Sequence, residues 1–241
     1  MVAEQQLADP HPTVRFPCMR LVLILLLFGV AFGYLEAAVV SYLRILHEPA
    51  RRHFYADRPS GELFPLLTLE QVQAAGPEQR KALFVEIGRE ASTMLMLASV
   101  AWAVASNARQ WTAAFVIAFG VWDIVFYVCL KLLLGWPASL FAWDILFLIP
   151  VPWVGPVIAP LLVSVAMIIA GIWCLWREAA GRPLRIGFWN VVGVLLGALV
   201  IVLSFTLDYR NIMAGGTPHA FRWGVFGLGM AISAVSYKLM A

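Results

Sequence analysis

Between Leu21 and Leu46 the chain runs for 26 residues with only two charged side chains, Glu36 and Arg44. Roughly 20 apolar residues are what a helix needs to cross the ~30 Å hydrocarbon core of a bilayer. Hydrocarbon offers a backbone no water, so the segment must satisfy its own N–H and C=O groups, and a helix does so. Arg15 and Arg20 ahead of LVLILLLFGVAFG also give this run the look of a signal-peptide core, with a conceivable cut after Gly33. The apolar run continues past Gly33 to Leu46, which fits an uncleaved span over 20–46 better.

The same constraint recurs along the chain. Further apolar blocks predict spans over 82–106, 111–134, 157–176, 186–207 and 221–240. The protein is 62% hydrophobic and 13% charged, where a soluble domain has about 45–50% and about 25%. A net charge of +3, with no basic patch interleaved with aromatics, argues against a nucleic-acid partner. Three cysteines, Cys18, Cys129 and Cys174, form neither a disulfide framework nor a zinc spacing.

Residues 1–18, with Pro10, Pro12 and Pro17, read as a flexible tail. Pro49 is expected to end the first helix. The 48–80 segment reads as an extramembrane loop holding one short helix. Thr68 is its N-cap, Gln71 completes a capping box and Gly76 stops it. Pro77 suits the first turn of the next helix. The 135–156 segment is apolar but broken by Pro137, Pro150, Pro152 and Pro156. Its unbroken stretch, 138–149, is too short to span, so a re-entrant or interfacial helix is predicted there. The expected fold class is an all-α polytopic membrane protein. It has six transmembrane helices plus one short re-entrant or interfacial helix, in a single domain over 1–241.

Six spans put both termini on one side. Arg15 and Arg20 before the first helix and three arginines in 177–185 favour that side being cytoplasmic, in a bacterial-type inner or plasma membrane. Gly29, Gly33, Ala37 and Ser41 form a thin stripe on the first helix, and Gly193 and Gly197 another on the fifth. Such stripes let helices approach closely, within the chain, in a homo-oligomer or in a larger membrane complex.

Depth then groups the charges. At 1.5 Å per residue, Glu36 lies about 22 Å and Glu90 about 24 Å up their spans from the terminal side, and Asp123 about 18 Å. Glu86, Glu90 and Thr93 share one helix face, and Tyr127 and Lys131 follow Asp123 at four and eight residues. Asp144 hangs from the loop side. Glu36, Glu86, Arg89, Glu90, Asp123, Tyr127, Lys131 and Asp144 are therefore the candidate pocket or ion-binding residues. Ionisable groups in a membrane mark solute paths or paired helices.

The leading expectation is a pocket that binds or transports a small polar or cationic solute, with a buried carboxylate available for proton coupling. One alternative is an intramembrane enzyme on a lipid or prenyl substrate, with Asp123 and Asp144 as an acid–base couple. Another is a structural or assembly subunit, with Glu86 paired to Arg89 and Asp123 to Lys131 or Arg89. No metal site or cofactor is expected, since no histidine lies inside a span and neither GxSxG nor HExxH occurs. Membrane lipid is the expected surrounding partner.

Overall fold

The computed structural model describes residues 15–58 and 62–240, with the backbone alone for 15–18. Residues 1–14 of the predicted tail lie outside the described residues. Residues 15–18 already belong to the first helix.

The chain is mostly helical. Its elements are α1 (Arg15–Phe54), α2 (Leu69–Ala74), α3 (Pro77–Val104), α4 (Ala108–Leu134), β1 (Trp143–Phe147), β2 (Trp153–Pro156), α5 (Ile158–Ala179), α6 (Phe188–Thr206), α7 (Tyr209–Met213) and α8 (Trp223–Lys238). Four segments are long and apolar enough to cross a membrane: Met19–Phe54, Ala108–Leu134, Ile158–Ala179 and Phe188–Met213. They mark a multi-pass membrane protein. The other two predicted spans do not meet that criterion. α3 has 28 residues but carries Glu86, Arg89 and Glu90, and α8 has only 16 residues. Large apolar side chains such as Leu27, Trp102, Leu132, Trp189 and Leu195 stand exposed around the bundle, as lipid-facing residues do.

Two local expectations meet a different outcome. α1 does not stop at Pro49 but runs 40 residues to Phe54, about 60 Å. Proline removes only its own N–H bond. The turns beyond it are held by Arg52 paired with Glu48 and by the Tyr55 N–H donating to the Arg51 carbonyl. Second, residues 138–149 form no helix. β1 and β2 make an antiparallel hairpin with Asp144 opposite Gly155 and Ile145 opposite Val154. Prolines at 150, 152 and 156 cannot donate to a helical ladder, whereas Trp, Ile, Leu and Phe suit a pleated strand. The fold is mostly helical, as an all-α class requires, with one two-stranded insert. The 48–80 segment takes in the end of α1, α2 and the start of α3. Its local signals hold there: Thr68 and Gln71 form the capping box of α2, and Pro77 opens α3.

Small residues decide which helices touch. A methyl group on Gly33 would lie 2.8 Å from the Trp122 carbonyl oxygen, so the α1 stripe packs on α4. Gly120 of α4 and Gly171 of α5 bring those two helices together in the same way. Gly197 of α6 abuts Gly229 and Ser233 of α8. Leu25, Phe32, Leu97, Ala101, Ala114, Ile117 and Val121 fill the half of the bundle nearest the termini as one apolar core. The opposite half is not filled in this way.

Candidate functional site

That opposite half encloses a cavity of about 460 Å³, within the ~300–1,000 Å³ usual for small-molecule sites. Each helix gives it a single face. Residues 36, 40, 43, 44, 47 and 51 of α1 line it, and residues 79, 83, 86, 89, 90 and 93 of α3. Apart from the adjacent pairs 43/44 and 89/90, these are steps of three and four, the spacing of one helical stripe. α4 adds Asp123 and Tyr127, the hairpin adds Asp144 to Leu148, and α5 and α6 close the far wall.

Seven of the eight candidate residues line this space: Glu36, Glu86, Arg89, Glu90, Asp123, Tyr127 and Asp144. Lys131 does not. Its ammonium donates to the carbonyls of Gly135 (3.0 Å) and Pro137 (2.8 Å), closing the C-terminal end of α4. Unpaired carbonyls at a helix end attract a cation, and a lysine four residues back reaches them readily.

The charges fall into two kinds. Arg89 joins α3 to α1, bonding Glu86 within its own helix and Glu36 across the gap. One guanidinium thus serves two carboxylates. Glu90, Asp123 and Asp144 are held by neutral donors instead. Glu90 accepts the Leu148 backbone N–H at 2.9 and 3.1 Å. This N–H follows β1, where the hairpin ladder ends, and hydrocarbon would leave it without an acceptor. Asp123 accepts the Ser164 hydroxyl at 2.7 Å. Asp144 accepts the Tyr127 hydroxyl at 2.8 Å. Among the described residues none of these three carboxylates forms an ion pair. The expected pairing of Asp123 with Lys131 or Arg89 does not occur. Proximity to Ser164 on α5 and the diversion of Lys131 to carbonyls explain why.

Sequence reasoning missed three contributors. Arg44 lines the cavity with its guanidinium 4.0 Å over the Trp136 ring, and its charge acts on Asp144 through space. It sits eight residues after Glu36, the same interval that singled out Lys131, so the signal was available. Ser164 is a lone serine in an apolar helix, with no sequence mark to separate it from packing serines. Leu148 acts through its backbone alone.

The mouth carries a polar clasp. His47 donates its Nδ1–H to the Gln79 side-chain oxygen at 2.7 Å, joining α1 to α3. Arg51 donates to the carbonyls of Glu62 and Leu63. Tyr55 donates to the Leu66 carbonyl at 3.1 Å. These bonds fold the 62–75 segment against α1, and Leu63, Leu66 and Leu67 then roof the cavity.

The donor set is carboxylate, hydroxyl, guanidinium and indole. Among the described residues no group of three or more His, Cys, Asp or Glu is placed to hold a metal ion. Ser164 bonds a carboxylate directly, with no histidine between them to act as its base. The arrangement is equipped to neutralise a positive charge and to exchange protons between carboxyl and hydroxyl groups. No family model, curated protein or solved structure matches the chain.

Proposed function

We propose that the chain crosses the membrane six times, with α3 and α8 joining the four apolar helices, and that its cavity binds a small solute bearing a positive charge. Both termini then lie on the cytoplasmic face. The 177–185 connector with its three arginines supports that orientation. α3 spans with its charged face turned to the cavity and to Arg89 rather than to lipid, which is how membrane helices accommodate such residues.

One observation carries the binding reading. Glu90, Asp123 and Asp144 converge on one cavity with neutral hydrogen-bond partners and no cation paired to them. Taking a carboxylate out of water costs several kcal/mol unless an opposite charge or a proton compensates it. A cationic solute supplies that charge, and proton release on its arrival supplies coupling. The cavity itself weighs against a purely structural subunit, which needs none. A lipid-directed enzyme is the second reading, supported by Asp123 and Asp144 facing the same space with hydroxyl partners.

The test uses two ions of one shape and opposite sign. Purified protein should bind tetraphenylphosphonium at least tenfold more tightly than tetraphenylborate in equilibrium dialysis. Asp123→Asn and Glu90→Gln should each weaken the phosphonium, while Lys131→Gln should not. Equal affinity for the two ions would sink the proposal.

A further inference from the structure

The cavity is chemically two-sided. Its α1, α3 and hairpin walls present Glu36, Arg44, Glu86, Arg89, Glu90 and Asp144. The opposite wall is α5 and α6. α6 contributes only Ala198, Ile201, Val202 and Phe205, and α5 adds Pro160, Val163 and Met167 beside the single hydroxyl of Ser164. A hydrated inorganic ion or a small polar amine has no use for that second wall. An occupant that fills the cavity must place apolar surface there, since water against such a lining is unfavourable.

The α6 wall also stands apart from the others. α6 packs tightly on α8, where Gly193 and Gly197 meet Ser236 and Ser233. Ala198 lies ten residues into α6, about 15 Å deep and near the bilayer middle. It is exposed while lining the cavity. Its neighbours Leu195, Leu196 and Leu199 are exposed as well. The lining therefore grades into lipid-facing surface at mid-depth, on the side that bears no charge.

We infer that the occupant is an amphipathic cation, a substituted ammonium head with one apolar arm. The arm lies along α5 and α6, and the head lies among Glu90, Asp123 and Asp144. The aromatic rings of Tyr127 and Phe126 on the cavity wall suit such a head, because alkylated ammonium is weakly hydrated and attracted to ring faces. Entry is from the bilayer past α6. This deepens the cation-binding reading and rests on it.

The experiment is a chain-length series on protein in nanodiscs, corrected against empty discs and referred to free aqueous concentration. The probes are tetramethylammonium, butyltrimethylammonium and octyltrimethylammonium. Affinity should rise about threefold to fourfold per methylene until the arm fills its wall. Ala198→Phe, which fills the arm position, should cost octyltrimethylammonium at least tenfold more affinity than it costs tetramethylammonium. Val202→Phe serves as the second variant if the first folds poorly. Equal affinity across the series, with tetraphenylphosphonium still bound over tetraphenylborate, overturns the two-sided occupant and leaves the cation site standing. Loss of that phosphonium preference removes the cation site itself.

Discussion

Tyr127 on α4 donates its hydroxyl to Oδ2 of Asp144 on β1 at 2.8 Å, with both side chains buried. This bond ties the hairpin to the bundle at the depth of the cavity. Leu148 does the same on the other side through its N–H to Glu90. Removing the tyrosine hydroxyl leaves a buried carboxylate without its donor, a loss of about 1–3 kcal/mol. Tyr127→Phe should lower stability by that amount in equilibrium unfolding in mixed detergent. The Tyr127→Phe, Asp144→Asn double variant should lose less than the two single losses added. Strict additivity would mean that the bond contributes nothing.

Arg89 is the single cation between two carboxylates on different helices. Its side chain is 21% exposed, against 9% for Glu36 and 16% for Glu86. Breaking a buried ion pair from one side leaves charge uncompensated, at about 3–5 kcal/mol. Arg89→Ala should therefore be among the most damaging single changes in the protein. Adding Glu36→Gln and Glu86→Gln to it should restore much of the loss, read as folded yield and unfolding midpoint. A triple variant no better than Arg89→Ala would show that the guanidinium matters by shape rather than charge.

Glycines divide into those that set a helix distance and those that do not. A methyl on Gly120 would come within 2.6 Å of the Ser164 carbonyl oxygen, and one on Gly171 within 2.6 Å of Ile117. Gly224 and Gly227 meet nothing within 4 Å. Alanine at 120 or 171 should cost about 1–3 kcal/mol through overpacking. At 224 or 227 it should be neutral or stabilising by about 0.5–1 kcal/mol through helix propensity. Because Ser164 also serves Asp123, Gly120→Ala should in addition weaken tetraphenylphosphonium binding. Similar melting points for all four variants would contradict the close α4–α5 approach.

The six-span proposal makes a topological prediction. In a background with all three cysteines replaced, single cysteines at Ala108 and Ala180 should react with a membrane-impermeant maleimide from the side of the termini. Single cysteines at Ala75 and Ala214 should react only from the other side. Labelling of residues 75 and 108 from one side would remove α3 from the spanning set.

The sequence carried long-range order best where a physical constraint was periodic. Apolar block length marked the four segments long and apolar enough to cross a membrane, and a step of four put Glu86 and Glu90 on one face of α3. Caps were equally legible, because Thr68 and Gln71 act on each other three residues apart. Failures came where the deciding partner was remote or was backbone. Trp143, Ile145 and Phe147 favour a strand within 138–149, but β2 and the Glu90 carboxylate that accepts the Leu148 N–H lie outside that stretch. Lys131 has the right spacing from Asp123, but two carbonyls at the end of its own helix hold it. Pro49 is a stop signal only if the flanking turn has no other support, and Glu48 with Arg52 supplies it.

In the half of the bundle nearest the termini, Leu97, Ala101, Ala113, Ala114 and Ile117 pack into one apolar core. A membrane that stores energy as an ion gradient tolerates a charged hollow only if the hollow is a cul-de-sac. Under the six-span proposal, that apolar core stands between the cavity and the side of the termini.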